Sequence, residues 1–391
     1  MDIVTTTQDL AKYCEAFAKK SHVAVDTEFM RESTYWPQLC LIQMASNGDE
    51  VIVDPLANGI SLAPFFELMA SRSVTKVFHA ARQDVEIIYN LGKLIPAPLF
   101  DTQVAAMVAG FGDSIGYENI VRQVTGAHID KTSRFTDWSR RPLTEKQLRY
   151  ALSDVTHLRD VYAHLCNELD RTNRESWLAE EMDILTSPDT YFVHPENAWK
   201  RLKFRARNKR ALAVFMAVAG WREAEAQERD VPRGRILKDD ALVEIATQIP
   251  KDIEALGKLR AVPRGFAQSR QAKPLMQAIA DGLARDHSEL PEVRNGPGPA
   301  KPPGPLVDLL KVALKLVCEQ NHVAPKLIAN VADLEAIAIS DTADVRALKG
   351  WRRKIFGDLA LDIKHGRLAI AVEDGEAITV PRDGIAAKAA E

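Results

Sequence analysis

The chain has 391 residues, 46% hydrophobic and 27% charged, enough for about two or three domains with sizeable apolar cores. No apolar run is long enough to cross a bilayer, and the opening Met1-Asp2-Ile3-Val4-Thr5 lacks the basic and apolar regions of a secretory signal. Four scattered cysteines (Cys14, Cys40, Cys166, Cys318) with no Cys-x-x-Cys pair argue against structural zinc and disulfides, so a cytoplasmic protein with buried free thiols is expected. The net charge of −3 conceals an asymmetry. Residues 1–190 hold 18 Lys+Arg against 27 Asp+Glu, a net −9, whereas residues 194–285 hold 19 against 11, a net +8. An acidic front that holds cations and a basic middle that holds phosphates would show this split; so would a merely solvated surface.

Taken in order, residues 1–20 read as a short strand and then a helix with Leu10, Cys14 and Phe17 on one face. The run Val23-Ala24-Val25-Asp26-Thr27-Glu28-Phe29 reads as a strand buried on both faces. Such a strand should not end in two acids, because an unpaired buried carboxylate is costly. Asp26 and Glu28, two apart, point the same way, and their oxygens make a seat for a hard cation such as Mg²⁺ or Mn²⁺. An isolated Asp-x-Glu more often marks a solvated strand end. A polar and aromatic loop over 30–37 leads to strands at 39–45 and 50–54, joined at Asn47-Gly48-Asp49 as a hairpin. A helix at 62–71 precedes a fourth strand at 75–80. This strand ends in His79 and feeds a helix carrying Asp84, which can face the crevice of Asp26 and Glu28 or simply compensate the helix dipole. His79 fits a satisfied structural histidine better than a ligand. Helices at 82–91, 101–109 and 116–125 complete an α/β domain on one mixed sheet.

Residues 130–142 break the helical pattern and mix cations with Phe135 and Trp138, a composition suited to single-stranded nucleic acid; Trp138 also suits a core. The next helix has Thr144 as N-cap, with Gln147 placed for a capping box. It sets Tyr150 and Asp154 on one face, one turn apart. Beyond Leu185 the strands vanish. Residues 194–288 read as helices that start in the very basic stretch 199–210. Apolar stripes (Leu212, Phe215, Met216, Ala219; Leu242, Ile245, Ala246, Ile249) mark their core, and a loop at 231–235 carries two arginines. The Pro/Gly-rich residues 291–305 read as a linker, residues 306–371 as a second helical unit, and 372–391 as a loosely ordered tail.

Asp26, Glu28, Asp84 and Asp154, with Tyr150 one turn before the last, match the three exonuclease motifs of the DEDD superfamily of 3′→5′ exonucleases. The Tyr-x-x-x-Asp form is that of its tyrosine branch; Arg149 stands where the other branch has His. Phe29-Met30-Arg31-Glu32 through Pro37-Gln38-Leu39-Cys40-Leu41-Ile42-Gln43, His79-Ala80-Ala81-Arg82-Gln83-Asp84, Thr136-Asp137-Trp138-Ser139-Arg140-Arg141-Pro142-Leu143 and Tyr150-Ala151-Leu152-Ser153-Asp154 resemble the ribonuclease D family. Arg229-Asp230-Val231-Pro232 to Ile236-Leu237-Lys238-Asp239-Asp240 is similar to a helicase-and-ribonuclease-D C-terminal (HRDC) domain, and residues 306–371 look like a second, diverged copy. Ser153 stands where the family often has Ala.

The resemblance implies a ribonuclease-H-like α/β exonuclease domain over 1–190, a basic HRDC domain over 191–290, the linker 291–305, an HRDC-like domain over 306–371 and the tail 372–391. It implies two divalent ions, Mg²⁺ or Mn²⁺, held by Asp26, Glu28, Asp84 and Asp154, with Tyr150 orienting the attacking water. A neutral phenol is a poor base. Substrate contacts are expected from Thr27, Met30, Gln43, His79, Trp138 and Arg141. The activity implied is 3′→5′ hydrolysis of RNA to nucleoside 5′-monophosphates, chiefly on the 3′ ends of tRNA precursors, with no membrane and no obligate protein partner. An RNA-binding protein with an inert nuclease fold and a single-stranded DNA exonuclease are the alternatives. Because all its strands precede Ser187-Pro188, the catalytic domain is expected to survive truncation there.

Overall fold

The apolar runs in the first hundred residues pair, in the computed structural model of the protein, into one six-stranded sheet. The structure describes residues 3–134, 136–293 and 302–382. The strands are β1 (Ile3–Val4), β2 (His22–Met30), β3 (Gln38–Ser46), β4 (Asp49–Val53), β5 (Thr75–Phe78) and β6 (Leu99–Asp101), in the order β1-β4-β3-β2-β5-β6. β2, β3 and β4 form an antiparallel meander, while β1 runs parallel to β4, β5 to β2 and β6 to β5. The mixed sheet expected from the sequence is present; β6 is an addition, too short and too Pro-flanked to show a strand period.

Helices α1 (Thr7–Phe17), α2 (Ala63–Ala70) and α3 (Arg82–Gly92) pack on the face that carries Val23 and Val25. The chain continues through α4 (Thr102–Val108) and α5 (Tyr117–Thr125) to α6 (Glu145–Thr156), which covers the opposite face over Ala24, Leu41 and Ala45. Thr144 caps α6 in a complete capping box with Gln147, as its spacing predicts. β5 pairs only with His22–Ala24 of the longer β2. Past Ala24, β2 therefore runs beside the turn into α3, and a crevice opens at the carboxyl ends of the parallel strands, where open α/β sheets gather ligands.

α7 (Leu158–Thr172) also packs on the sheet, with Leu158 in one core with Ala24 and Val77 and Tyr162 against Phe100. α8 (Glu175–Leu185) then leads to α9 (Lys209–Glu228), α10 (Arg233–Ile236), α11 (Asp239–Gln248), α12 (Ile253–Gly257) and α13 (Ala272–Ala284). These last five enclose a separate core around Phe215, Leu242, Leu256 and Leu275. Two expectations are corrected here. The arginine-bearing loop contains the single turn α10. The basic stretch 199–210 is not one helix: a 3-10 helix ends at Arg201 and α9 begins at Lys209. Residues 202–208 between them are non-helical, with Leu202, Phe204 and Ala206 partly buried and Lys203, Arg205 and Arg207 exposed. Phe204 stacks on Phe215 at 4.1 Å between ring centroids, which anchors the segment.

The last unit comprises α14 (Gly304–Asn321), α15 (Pro325–Ile328), α16 (Val331–Ile339) and a helical run over 350–364, followed by the hairpin β7 (Leu368–Glu373) and β8 (Glu376–Pro381). The hairpin crosses residue 371 and places an ordered strand inside the expected tail, because Asp374-Gly375, both at positive φ, make the turn that two-residue hairpins require. The remainder of the tail, residues 383–391, and most of the linker, residues 294–301, lie outside the described residues. This unit does not stand apart. One apolar cluster runs from Val25 and Phe65 through Leu178 and Met182 to Leu310, Trp351 and Phe356. Trp177 and Trp351 stack at 4.1 Å. Arg352 reaches Glu180 at 2.7 Å and also binds Glu181, which Arg346 binds as well. Arg174 donates to the carbonyls of Val108 and His322, both at 3.0 Å. Gly110, at φ +91°, lies where a Cβ would come 2.7 Å from that same His322 carbonyl. A chain cut near Ser187 would expose this joint, so the expectation that truncation spares the catalytic domain does not survive the structure.

Candidate active site

β2 brings Asp26 and Glu28 to the crevice on one face, as the strand period requires, and α6 delivers Tyr150 and Asp154 from above. Single carboxylate oxygens of Asp26, Glu28 and Asp154 all lie within 4.8 Å of one another. Asp84, in the first turn of α3, enters the same crevice, of about 810 Å³. It is buried and accepts a 2.5 Å hydrogen bond from the Thr27 hydroxyl. All four acids and Tyr150 meet in this one crevice.

Their electrostatics follow from crowding. Burial, then Asp84, Asp154 and Glu28, push the Asp26 carboxyl well above its ordinary range. Burial with Asp154 and Asp84 pushes Glu28 up to about 9, against a pull from Arg134. Burial raises Asp84 to about 7 despite the Thr27 hydrogen bond. Burial, then Asp154, Glu28 and Asp26, drive the Tyr150 phenol upward. The cluster calls for positive charge. Its donors are carboxylate oxygens, the ligand type that hard divalent cations select.

The expected substrate contacts fare differently. Met30 and Thr27 line the crevice, but the Thr27 hydroxyl is committed to Asp84. Arg141 is withdrawn from any substrate. Its guanidinium grips Asp54 with two bonds of 2.6 Å and also donates to the carbonyls of Cys40, Trp138 and Arg140. That uses all five of its N–H groups, so it staples the 137–142 loop to β3 and β4. His79 lines the crevice, yet its Nδ1 sits 2.9 Å from Thr102 Oγ1 and its Nε2 3.1 Å from the Ile115 carbonyl. Burial lowers it to about 4, a neutral structural histidine. Trp138 is 2% exposed and stacks on Tyr150 at 6.1 Å, which makes it a support for that ring rather than an open platform for bases. Phe135 lies outside the described residues. Gln43 is fully buried and does not line the crevice.

Arg134, Tyr117 and Arg31 also line the crevice, and none was expected as a substrate contact. Arg134 brings positive charge toward Glu28 and Tyr150; its only signal is membership of the cationic stretch. Tyr117 lines the wall beside His79 and donates to the Ser153 carbonyl at 2.9 Å. Arg31, on the mouth, pairs bidentately with Glu86 at 2.7 and 2.8 Å.

The loop after β2 is also tied to the basic domain. Tyr35, 6% exposed, donates its hydroxyl to Glu223 of α9. Arg233 of α10 binds Glu223 with two bonds of 2.5 Å and the Tyr35 hydroxyl at 2.8 Å. Asp230 accepts from the Tyr35 and Trp36 amides at 3.0 and 2.9 Å.

Residues 1–170 match a family model described as a 3′-5′ exonuclease, and residues 211–279 one described as an HRDC domain. A ribonuclease D of Nitrobacter hamburgensis is 54% identical over 98% of this chain and 100% of its own, and one of Gluconacetobacter diazotrophicus is 48% identical over 97% and 96%. The crystal structure of Escherichia coli RNase D, described as an exoribonuclease involved in structured RNA processing, superposes with a TM-score of 0.78 at 27% identity, over 93% of this chain and 98% of that one. Identity of this order over nearly the whole chain, on a fold that assembles the four acids at the carboxyl ends of the parallel strands, leaves one conclusion: the chain belongs to the ribonuclease D family and is a 3′→5′ exoribonuclease.

Proposed function

We propose that the crevice hydrolyses the last phosphodiester of RNA with two divalent ions and trims the 3′ ends of tRNA precursors and other small RNAs, releasing nucleoside 5′-monophosphates. The observation that carries this is the meeting of Asp26, Glu28 and Asp154 oxygens within 4.8 Å, with Asp84 in the same crevice. Asp26, Glu28 and Asp154 would hold one ion, and Asp26 with Asp84 the other. When bound, such a pair activates a water and neutralises the departing 3′ oxygen. Tyr150, whose phenol burial and the acids keep protonated, orients that water by its hydroxyl. Trp138 holds the Tyr150 ring in place. Exposed Lys203, Arg205 and Arg207 on the non-helical segment 202–208 offer sequence-neutral phosphate contacts, which suits a folded RNA whose 3′ end enters the crevice. The second helical unit, as an HRDC-like domain, stiffens the exonuclease domain through the Trp177–Trp351 joint.

The test is purified protein with Mg²⁺ or Mn²⁺ on 3′-extended tRNA, unstructured RNA and single-stranded DNA, with products separated by chromatography. Nucleoside 5′-monophosphates from the RNAs, abolished by chelator and restored by metal, are expected. Turnover that survives exhaustive chelation would defeat the two-metal reading, and binding without products would favour an inert nuclease fold.

A further inference from the structure

Gln43 is completely buried at the centre of β3, and among the described residues neither its amide nitrogen nor its amide oxygen has a hydrogen-bond partner. Buried amides are nearly always satisfied, and an exception asks for an explanation. The register supplies one. Gln43 sits directly opposite Asp26 in the antiparallel β2–β3 pair, so the two side chains share a face with Cβ atoms about 5 Å apart. On that face Gln43 is ringed by Ala24, Asp26 and Glu28 of β2, Leu41 and Ala45 of β3, and Ile52 of β4. Ala151 and Val155 of α6 close over the same patch. The same face also carries Glu50 of β4 and Asp54 just past it, but these are bonded to Arg159 and Arg141. Of the remaining polar neighbours, Asp26 is the one directly across.

We infer that Gln43 is a positioning residue of the acidic site, whose Nε2–H donates to the Asp26 carboxylate and fixes which of its oxygens faces the crevice. This rests on the reading of the crevice as a metal site. An ionised carboxylate only accepts hydrogen bonds, and the apolar neighbours offer Asp26 no other side-chain donor on this flank. The terminal torsions of both side chains are soft, so the bond forms without backbone movement. A ligand carboxylate oriented from behind in this way binds its ion more tightly, and loss of such support typically weakens metal affinity by about 10–100-fold.

The experiment uses the full chain and its Gln43→Met variant, which keeps the volume and deletes both polar atoms. Mn²⁺ binding is read by calorimetry, and the metal-free melting temperature is recorded for each. The expected result is an unchanged or higher melting temperature for the variant without metal. Its Mn²⁺ affinity should be about 10–100-fold weaker, its KM for RNA unchanged, and its turnover restored by saturating Mn²⁺. Coincident Mn²⁺ isotherms, or a turnover defect that saturating metal does not repair, would overturn the proposal. Independently of any variant, Mg²⁺ should shift the Gln43 side-chain amide resonance of the wild-type protein, and an unmoved resonance would also overturn it. Absence of Mn²⁺ binding by the wild type would instead bring down the metal reading itself.

Discussion

Replacing Arg233 by alanine tests whether the basic domain holds the loop at the mouth of the crevice. Glu223 is 2% exposed. Burial alone would raise its carboxyl, but the Arg233 guanidinium and Tyr35 hydroxyl bring it below its ordinary range. Arg233→Ala deletes three hydrogen bonds and the cation over the Tyr35 ring, 4.6 Å from its centroid. Stranding a buried charge costs about 3–5 kcal/mol. The Arg233 side chain is 38% exposed, so water can replace part of it, and the lower end, about 3 kcal/mol, is expected. Whole-chain unfolding of a multidomain protein is a poor gauge, but the Tyr35 and Trp36 amides bonded to Asp230 report the joint directly. Their hydrogen exchange should accelerate by roughly 10²-fold, at about 1.4 kcal/mol per decade. Tyr35→Phe, which loses one hydroxyl bonded to charged partners, should cost less, about 1.5–3 kcal/mol. The pair Arg233→Met with Glu223→Leu should recover much of the loss, since apolar replacement of both partners is often near neutral. Unchanged exchange at residues 35 and 36 in Arg233→Ala would refute the reasoning.

Asp26→Asn or Asp154→Asn should abolish hydrolysis while RNA still binds, since each removes a ligand charge and leaves the basic domain untouched; near wild-type turnover in either would refute the site. Glu28 and Asp84 are raised to about 9 and about 7 in the folded chain, so without metal the native state keeps protons that the unfolded state has released. That contribution is complete below about pH 4 and is lost as pH climbs through the folded values. The metal-free melting temperature should therefore fall between about pH 5 and pH 9, less steeply in Asp26→Asn, and a flat profile would contradict the crowding. Tyr150→Phe keeps the stack on Trp138 and removes one positioned hydroxyl, so kcat should drop by about 10²–10⁴-fold with RNA affinity intact; an unchanged rate would make Tyr150 a packing residue. Lys203→Ala, Arg205→Ala and Arg207→Ala together should flatten the log–log salt dependence of tRNA affinity by roughly 0.9 for each duplex phosphate that is no longer neutralised, and equal slopes would show that this segment only solvates the domain.

The acids were legible because their signal is local and physically costly. A buried strand that ends in Asp26 and Glu28, and a helix face that repeats Tyr150 and Asp154, break the apolar pattern in ways packing alone does not select. The supporting polar residues were not legible in the same way. Arg141 and Arg134 are two cations in one stretch, and only the structure separates the staple, with every donor used inside the protein, from the residue that faces the crevice. Tyr35 and Glu223 are 188 positions apart, and no period or motif links them. The docking of the last unit was hidden for a related reason. Trp177 of α8 and Trp351 of the helical run over 350–364 lie 174 positions apart, and the stack between them is a property of the assembled chain.

The non-helical segment 202–208 is a different case, since its signal was in the sequence throughout. Leu202, Phe204 and Ala206 alternate with Lys203, Arg205 and Arg207, the period of a strand rather than a helix. Asn208 is a helix N-cap type, and its side chain does accept from the Ala211 amide to start α9. Helical propensity of the lysines and arginines points the other way, but only by tenths of a kcal/mol per residue. Phe204 is only partly buried against Phe215 and so gains part of the about 1.5–3 kcal/mol of a fully buried phenylalanine, and a helix, whose residues two apart do not share a face, could not turn Leu202, Phe204 and Ala206 inward together. Burial therefore outweighs propensity, and it also decides the chemistry of the surface. The alternation leaves residues 203, 205 and 207 exposed together, where a helix would have scattered them around its circumference.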